Sequence, residues 1–205
     1  MNSHWCIRQP IQFSLHFCLM KKAVYFFYTL ALLVITMPLL AGEIQQATIR
    51  HQDGMYILKL HVELAAPFSS VHAIVTNYDK LYRISEVLTE TRLLSEPGSK
   101  IKKRRMVIQT CILFFCFNTK MVEHVWEAEN TIITKIIPEQ SDYKYGKTEW
   151  QIVPIDEDRS RIQLYCELEP AFWIPPYIGP FLLKQKMMSE AKKTINRIEI
   201  LSING

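Results

Sequence analysis

Glycine is scarce in this chain, six in 205 residues, and none of the six builds a glycine-rich loop. That absence excludes the nucleotide- and dinucleotide-binding architectures, which need backbone N–H groups brought close to phosphate. There is no CxxC, no HExxH and no paired Cys/His spacing. The sequence therefore names no metal site and no cofactor. Histidines and acids are scattered: His61, His72, His124, Asp79, Glu123 and Glu149 form neither a triad nor a paired-carboxylate signature, so no catalytic residue is assigned. Internal repeats and low-complexity tracts are also missing. Charge of one sign is lacking too. Of 24 Lys and Arg, Arg8, Lys21 and Lys22 precede residue 43, while all 20 Asp and Glu lie from Glu43 onward. The chain from there on is nearly neutral and carries no nucleic-acid footprint.

What the chain does have is an apolar run near its start. Lys21 and Lys22 precede an uncharged stretch from Ala23 to Gly42, rich in Leu, Phe and Tyr, broken by Pro38 and closed by Ala41 and Gly42. A positive flank, an apolar centre and a small-residue exit are the parts of a secretory signal peptide. The run is also as long as a membrane span needs. The expectation is an extension ahead of the true start at residues 1–19, a signal peptide at 20–42 and one domain at 43–205. The protein is then periplasmic or otherwise exported, with residues 23–42 either cleaved or kept as an anchor. Cys6 and Cys18 fall before that boundary, whereas Cys111, Cys116 and Cys166 follow it, so the domain holds at most one internal disulfide.

Residues 44–64 alternate in polarity around Asp53-Gly54, which predicts a strand, a tight turn and a second strand. Pro67-Phe68-Ser69-Ser70 opens a short helix that ends at Asn77–Asp79. Strand patterning then runs through 87–94, 100–112, 115–127, 131–138, 143–154 and 159–168, separated by turn clusters, which implies an antiparallel meander. A proline-rich aromatic passage, Pro170–Pro180, leads into a long amphipathic helix at Phe181–Ile200. Phe181, Met188, Ala191, Ile195 and Ile198 are its expected inward stripe. The basic cluster Lys100, Lys102, Lys103, Arg104 and Arg105 reads as a solvated strand end.

Several short passages have a familiar order. Ala66-Pro67-Phe68-Ser69-Ser70-Val71 marks a strand-to-helix junction and Val75–Leu81 a helix end. Thr148–Pro154, with Trp150 and Pro154, reads as a late strand, followed by Ser160-Arg161-Ile162 and Glu167-Leu168-Glu169. On these passages the chain resembles the START-like superfamily, in particular its polyketide cyclase and coenzyme-Q-binding-protein branch, over residues 45–200. The resemblance implies an α+β helix-grip fold, a curved antiparallel sheet wrapped around a long C-terminal helix. It also implies an apolar cavity between them that holds a lipid or polycyclic molecule.

Within that fold, Trp150, Tyr165, Phe172, Trp173, Tyr177, Phe181 and Met188 are the expected ligand-cavity residues, with Phe172, Trp173 and Tyr177 at the entrance. The reading is an exported module that binds or carries a hydrophobic small molecule, a lipid or isoprenoid. The alternative is a cyclase- or dehydratase-type enzyme using the same cavity. Gln109–Phe117 reads from its residues as one buried strand, with Cys111 and Cys116 on opposite faces about 16 Å apart. The resemblance implies instead a hairpin there, a Cys111–Cys116 disulfide and an outward tip of Ile112, Leu113, Phe114 and Phe115 that contacts a membrane surface or guards the cavity mouth. Nothing in the sequence signals an oligomeric state.

Overall fold

The computed structural model describes residues 43–112 and 115–204. The expected extension at 1–19, the expected signal peptide at 20–42 and the tip residues Leu113 and Phe114 lie outside the described residues, as do the side chains of Ile112 and Phe115. Strands β1 (Glu43–Gln52) and β2 (Met55–Leu64) form a hairpin, closed by Asp53 and Gly54, both at positive φ. Two consecutive left-handed residues give a tight turn the twist of an antiparallel pair, and Asp-Gly accepts that conformation most readily. Helix α1 (Phe68–Val75) and a 3-10 segment (Tyr78–Arg83) follow. Then come β3 (Leu88–Leu93), β4 (Lys102–Ile112), β5 (Phe115–Glu127), β6 (Thr131–Ile136), β7 (Tyr143–Pro154) and β8 (Ser160–Pro170). Helix α2 (Gly179–Asn204) ends the described chain.

The eight strands make one antiparallel sheet in the order β1-β2-β8-β7-β6-β5-β4-β3. The last six run as the expected meander, and the first hairpin adds at its β8 edge. Residues 109–117 are therefore two strands joined by a hairpin rather than one buried strand, with Cys111 opposite Cys116. Alternation sends Tyr56, Leu58, Leu60, Val62 and Leu64 of β2 to one face, together with Ile162 and Leu164 of β8 and Ile152 of β7. Farther across the sheet, Ile132, Val125, Met121 and Met106 join them. Burying that face is the main driving force of the fold, worth ~1.5–3 kcal/mol for each large side chain fully removed from water. Where β7 crosses the buried face, Gly146 leaves no room: a Cβ there would lie 2.2 Å from Ile136 Cδ1.

Helix α2, about 39 Å long, covers this face with α1. Ile195 and Ile198 are buried in the same core as Val71 and Val75. Its C-terminal half is pinned by Glu199, which is buried and accepts the Ala65 N–H at 2.8 Å, at the junction between β2 and α1. The stripe expected from periodicity needs one correction. Leu183 is buried, and Phe181, two residues earlier, is 59 % exposed. Two residues along a helix lie roughly 160° apart, so burying one turns the other outward. Met188 is half-buried.

Two truncations of this helix should therefore separate in thermal denaturation. Ile198→Ala removes a fully buried side chain and should cost about 2–5 kcal/mol, while Phe181→Ala should stay within about 0.5 kcal/mol of the parent. Equal losses would contradict this assignment of the inward stripe.

Candidate functional site

Helix and sheet do not close completely over one another. Between them lies a cavity of about 140 Å³. Val75, Leu81 and Ile84 wall it on the helical side, Met106, Ile132 and Trp150 form its floor on the sheet, and Ser85, Arg104 and Thr194 supply its polar points. Trp150 enters because β7 alternates in phase with β8: Trp150 pairs with Leu164, whose side chain is buried on the same face.

Arg104 belongs to a polar layer laid across this otherwise apolar face. Its Nε donates to Glu123 Oε2 at 2.7 Å, and Thr134 Oγ1 donates to Glu123 Oε1 at 3.1 Å. All three side chains are buried. Beside them the Tyr78 hydroxyl donates to Glu127, and Lys102 Nζ donates to both Glu127 oxygens at 2.8 Å. Two cations approach the Tyr78 ring, the Arg104 guanidinium 5.0 Å and Lys102 Nζ 5.4 Å from its centroid. Burial, and then the Glu127 carboxylate, hold the Tyr78 phenol far above its ordinary pKa, so it remains a donor. Burial pushes the Glu127 carboxyl up, but hydrogen bonds from Lys102 and Tyr78 outweigh it and leave the group below its ordinary value.

This layer corrects the reading of residues 100–105 as a solvated strand end. Lys102 and Arg104 sit opposite Val125 and Glu123 of β5 and share their inward face, while Arg105 pairs with Glu90 of β3 instead. The parity was visible: Lys102, Arg104, Met106 and Ile108 alternate in step, as do Met121, Glu123, Val125 and Glu127. A base–acid pair embedded in two apolar stripes is the signal of a buried ion pair.

The structure disperses the other expected cavity residues. Tyr165 is on the opposite face of the sheet, where its hydroxyl donates to Glu167 and Lys59 lies 5.6 Å over its ring. That hydrogen bond, then burial, raises its phenol to about 12. Its place is dictated by period two: Ile162 and Leu164 are buried, so Tyr165 goes with Gln163 and Glu167. Phe172 is half-buried, stacked on Phe117 at 5.9 Å and edge-on to Tyr143 at 5.8 Å. It borders a separate groove of about 530 Å³ beside the β4–β5 hairpin. Trp173, Tyr177 and Phe181 are 74 %, 96 % and 59 % exposed, and Ile178 joins them. Tyr177 also has φ of 71°, a conformation a non-glycine residue adopts at a cost. Cys111 and Cys116 form a disulfide, and Cys166 is a free thiol whose pKa burial raises to about 11.

The ionisation of Glu127 carries a testable sign. A carboxylate depressed in the folded state stabilises the fold above its unfolded pKa of about 4.5 and loses that contribution as pH falls through the folded value. The stability difference between the parent and Glu127→Gln should be largest near neutral pH and shrink below pH 4.5 in denaturant titrations. A difference independent of pH would remove Glu127 from the network.

The profile of the family described as polyketide cyclase / dehydrase and lipid transport matches residues 64–187. A comparison with curated protein sequences found no match. Among solved structures, the chain is similar to the Zhui aromatase/cyclase from Streptomyces sp. R1128, with a TM-score of 0.61, 14 % identity and coverage of 73 % of this chain and 94 % of that one. A START superfamily protein from Mycobacterium smegmatis aligns with a TM-score of 0.57 at 20 % identity, covering 71 % and 98 %. A STAR-related lipid transfer protein from Xanthomonas axonopodis gives 0.60 at 13 % identity, covering 77 % and 98 %. At these identities the structures speak for the fold alone, which is the START-like helix grip. With its profile matched from the end of β2 into α2, the chain belongs to the polyketide cyclase / dehydrase and lipid transport family.

Proposed function

We propose that this protein binds or carries a hydrophobic small molecule, a lipid or isoprenoid, in the cavity between sheet and C-terminal helix. The observation that carries the reading is the make-up of the lining. Arg104 is its one ionisable residue, surrounded by apolar side chains and two hydroxyls. A guanidinium stays protonated and gives up no proton, so it serves as a hydrogen-bonding tip rather than a general acid or base. Glu123, the nearby acid, already accepts from Arg104 and Thr134. A cyclase or dehydratase acting by proton transfer needs a placed acid or base against its substrate, and that weighs against the enzymatic alternative.

The cavity volume, about 140 Å³, is smaller than the roughly 300–1,000 Å³ of sites for drug-sized ligands. A lipid is accommodated only if the helical side moves. That wall is the short α1 and the 3-10 segment, which pack on the sheet through Val71, Val75, Leu81 and Ile84 and are tied to it by the Tyr78–Glu127 and Asp79–Leu93 hydrogen bonds, and its displacement is part of this proposal. The exposed strap that holds Trp173, Tyr177, Ile178 and Phe181 is the part we assign to contact with a membrane surface, where Trp and Tyr rings sit comfortably between water and hydrocarbon. The hairpin tip at residues 112–115 is assigned to the same contact. Export through residues 20–42 is part of this proposal, with cleavage or retention of that segment both compatible. The Cys111–Cys116 disulfide suits an oxidising compartment.

Native mass spectrometry with lipid extraction, on protein purified from its own cell envelope, tests ligand and export together. The expected species begins near Gly42 or Glu43, or at Met20 if the anchor is kept, and carries an apolar molecule of defined mass. Ile132→Trp should fill the cavity floor and reduce occupancy at least tenfold while the circular dichroism spectrum is unchanged. A ligand-free parent, or a chain confined to the cytoplasm, would defeat the corresponding half of the reading. Flotation with phosphatidylglycerol vesicles tests the strap: replacing Trp173, Tyr177 and Phe181 by Ala should abolish co-flotation, and undiminished binding would remove the membrane role.

A further inference from the structure

The sheet has an interior opening. Strand β5 spans Phe115–Glu127, but β6 pairs only with its Glu123–Glu127 end. Beyond β6, the following turn takes over: the Ile137 N–H donates to the Val122 carbonyl, the Asp142 N–H to the Lys120 carbonyl, and the Lys120 N–H to Asp142 Oδ2 at 2.6 Å. These bonds show that the even-numbered residues of β5 aim their backbone groups away from β4. Cys116 and Asn118 continue that series, and no described residue is seen to pair with their backbone on that side. Their N–H and C=O groups face the groove of about 530 Å³, whose far wall is Ala171 and Phe172. The result is a slot with a strand edge along one side and a strap along the other, with Phe117 stacked on Phe172 at its base.

How the protein treats its other edges makes this opening meaningful. β1 and β3, the two outer strands, each carry a register irregularity, at Ile44/Gln46 and Leu88/Glu90. Both also bear charges, Glu43 and Arg50 on one, Glu90 and Arg92 on the other. Bulges and charges are the devices that stop an edge from recruiting another strand. Phe115–Thr119 has no charge, no proline and no register shift against β4.

We propose that this slot takes an extended peptide segment of a partner protein, added as a short strand to the open side of β5. Backbone pairing at Cys116 and Asn118 supplies up to four hydrogen bonds, and a side chain turned inward rests on Phe117 and Phe172. Charge selects the orientation: Asp142 is the one charged residue of the lining, so the segment places a basic side chain at that end. This site is distinct from the cavity around Arg104 and does not depend on what that cavity holds.

An acetylated, fluorescein-tagged hexapeptide of sequence KVTVTV is a suitable probe with the full chain. Its binding should be seen by fluorescence anisotropy, and amide hydrogen exchange should slow at Cys116 and Asn118. Asn118→Pro deletes an N–H that no ladder bond uses, a change a strand edge tolerates, and should weaken binding at least tenfold with the melting temperature retained. If that variant fails to fold, Asp142→Asn serves instead: it should weaken KVTVTV severalfold and leave AVTVTV unaffected. Peptide affinity unchanged in a folded Asn118→Pro protein would overturn the proposal. So would exchange protection on β1 or β3 instead, or a slot that ignores peptide at millimolar concentration and takes only phospholipid.

Discussion

One face of an eight-stranded sheet has to be covered by far less helix than its width asks for. That mismatch sets the rest of the architecture. A single 26-residue helix and two short helical segments cannot seal a curved face. They cover it best where β2, β8 and β7 run beneath α1 and α2, and the densest burial is there. Toward β4 and β5 the cover thins, and two things fill the shortfall: the cavity, and the polar layer of Arg104, Glu123, Thr134, Lys102, Glu127 and Tyr78. Both are products of the same geometric deficit.

The polar layer is an uneasy occupant of that space. Taking a guanidinium and a carboxylate out of water costs several kcal/mol per ion, and an ion pair commonly does no better than apolar side chains of equal volume. Its retention is better understood as specification. Arg104 and Glu123 satisfy each other only in one register of β4 against β5, and Tyr78 meets both cations only if the 3-10 segment lies across that end of the sheet. A purely apolar interior there would tolerate sliding of the helical side. The polar layer instead fixes one place for that wall on the sheet.

Much of this was legible in the chain. The strands, the Asp53-Gly54 hairpin and the long terminal helix follow from alternation, turn chemistry and periodicity, which are local properties. Trp150 lines the cavity because a tryptophan among inward-alternating residues has one face to go to. Tyr165 lies on the other face, and the same alternation, applied to Ile162, Leu164 and Cys166 around it, turns it outward. The pairing of Arg104 with Glu123 is not legible from either residue alone, because a charged pair gains its meaning only when two strands are brought side by side, and each residue by itself reads as solvent-facing. Phe181 illustrates a further limit: periodicity defines a stripe, but near the start of the helix it is Leu183, on the opposite side, that is buried.

The odd number of cysteines in the domain carries a consequence for how the chain reaches this state. Cys111 and Cys116 are five residues apart, while Cys166 is fifty residues beyond the second of them. Closing a short loop costs less chain entropy than closing a long one, and it occurs on a far faster timescale than assembly of a distant strand. Proximity alone thus favours the Cys111–Cys116 pair over either pairing with Cys166. Once β8 docks between β2 and β7, the remaining thiol is half-buried, accepts from Thr148 and is held protonated, which leaves it a poor nucleophile for exchange. Short-range closure and then the docking of β8 thus both work toward a single pairing among the three thiols.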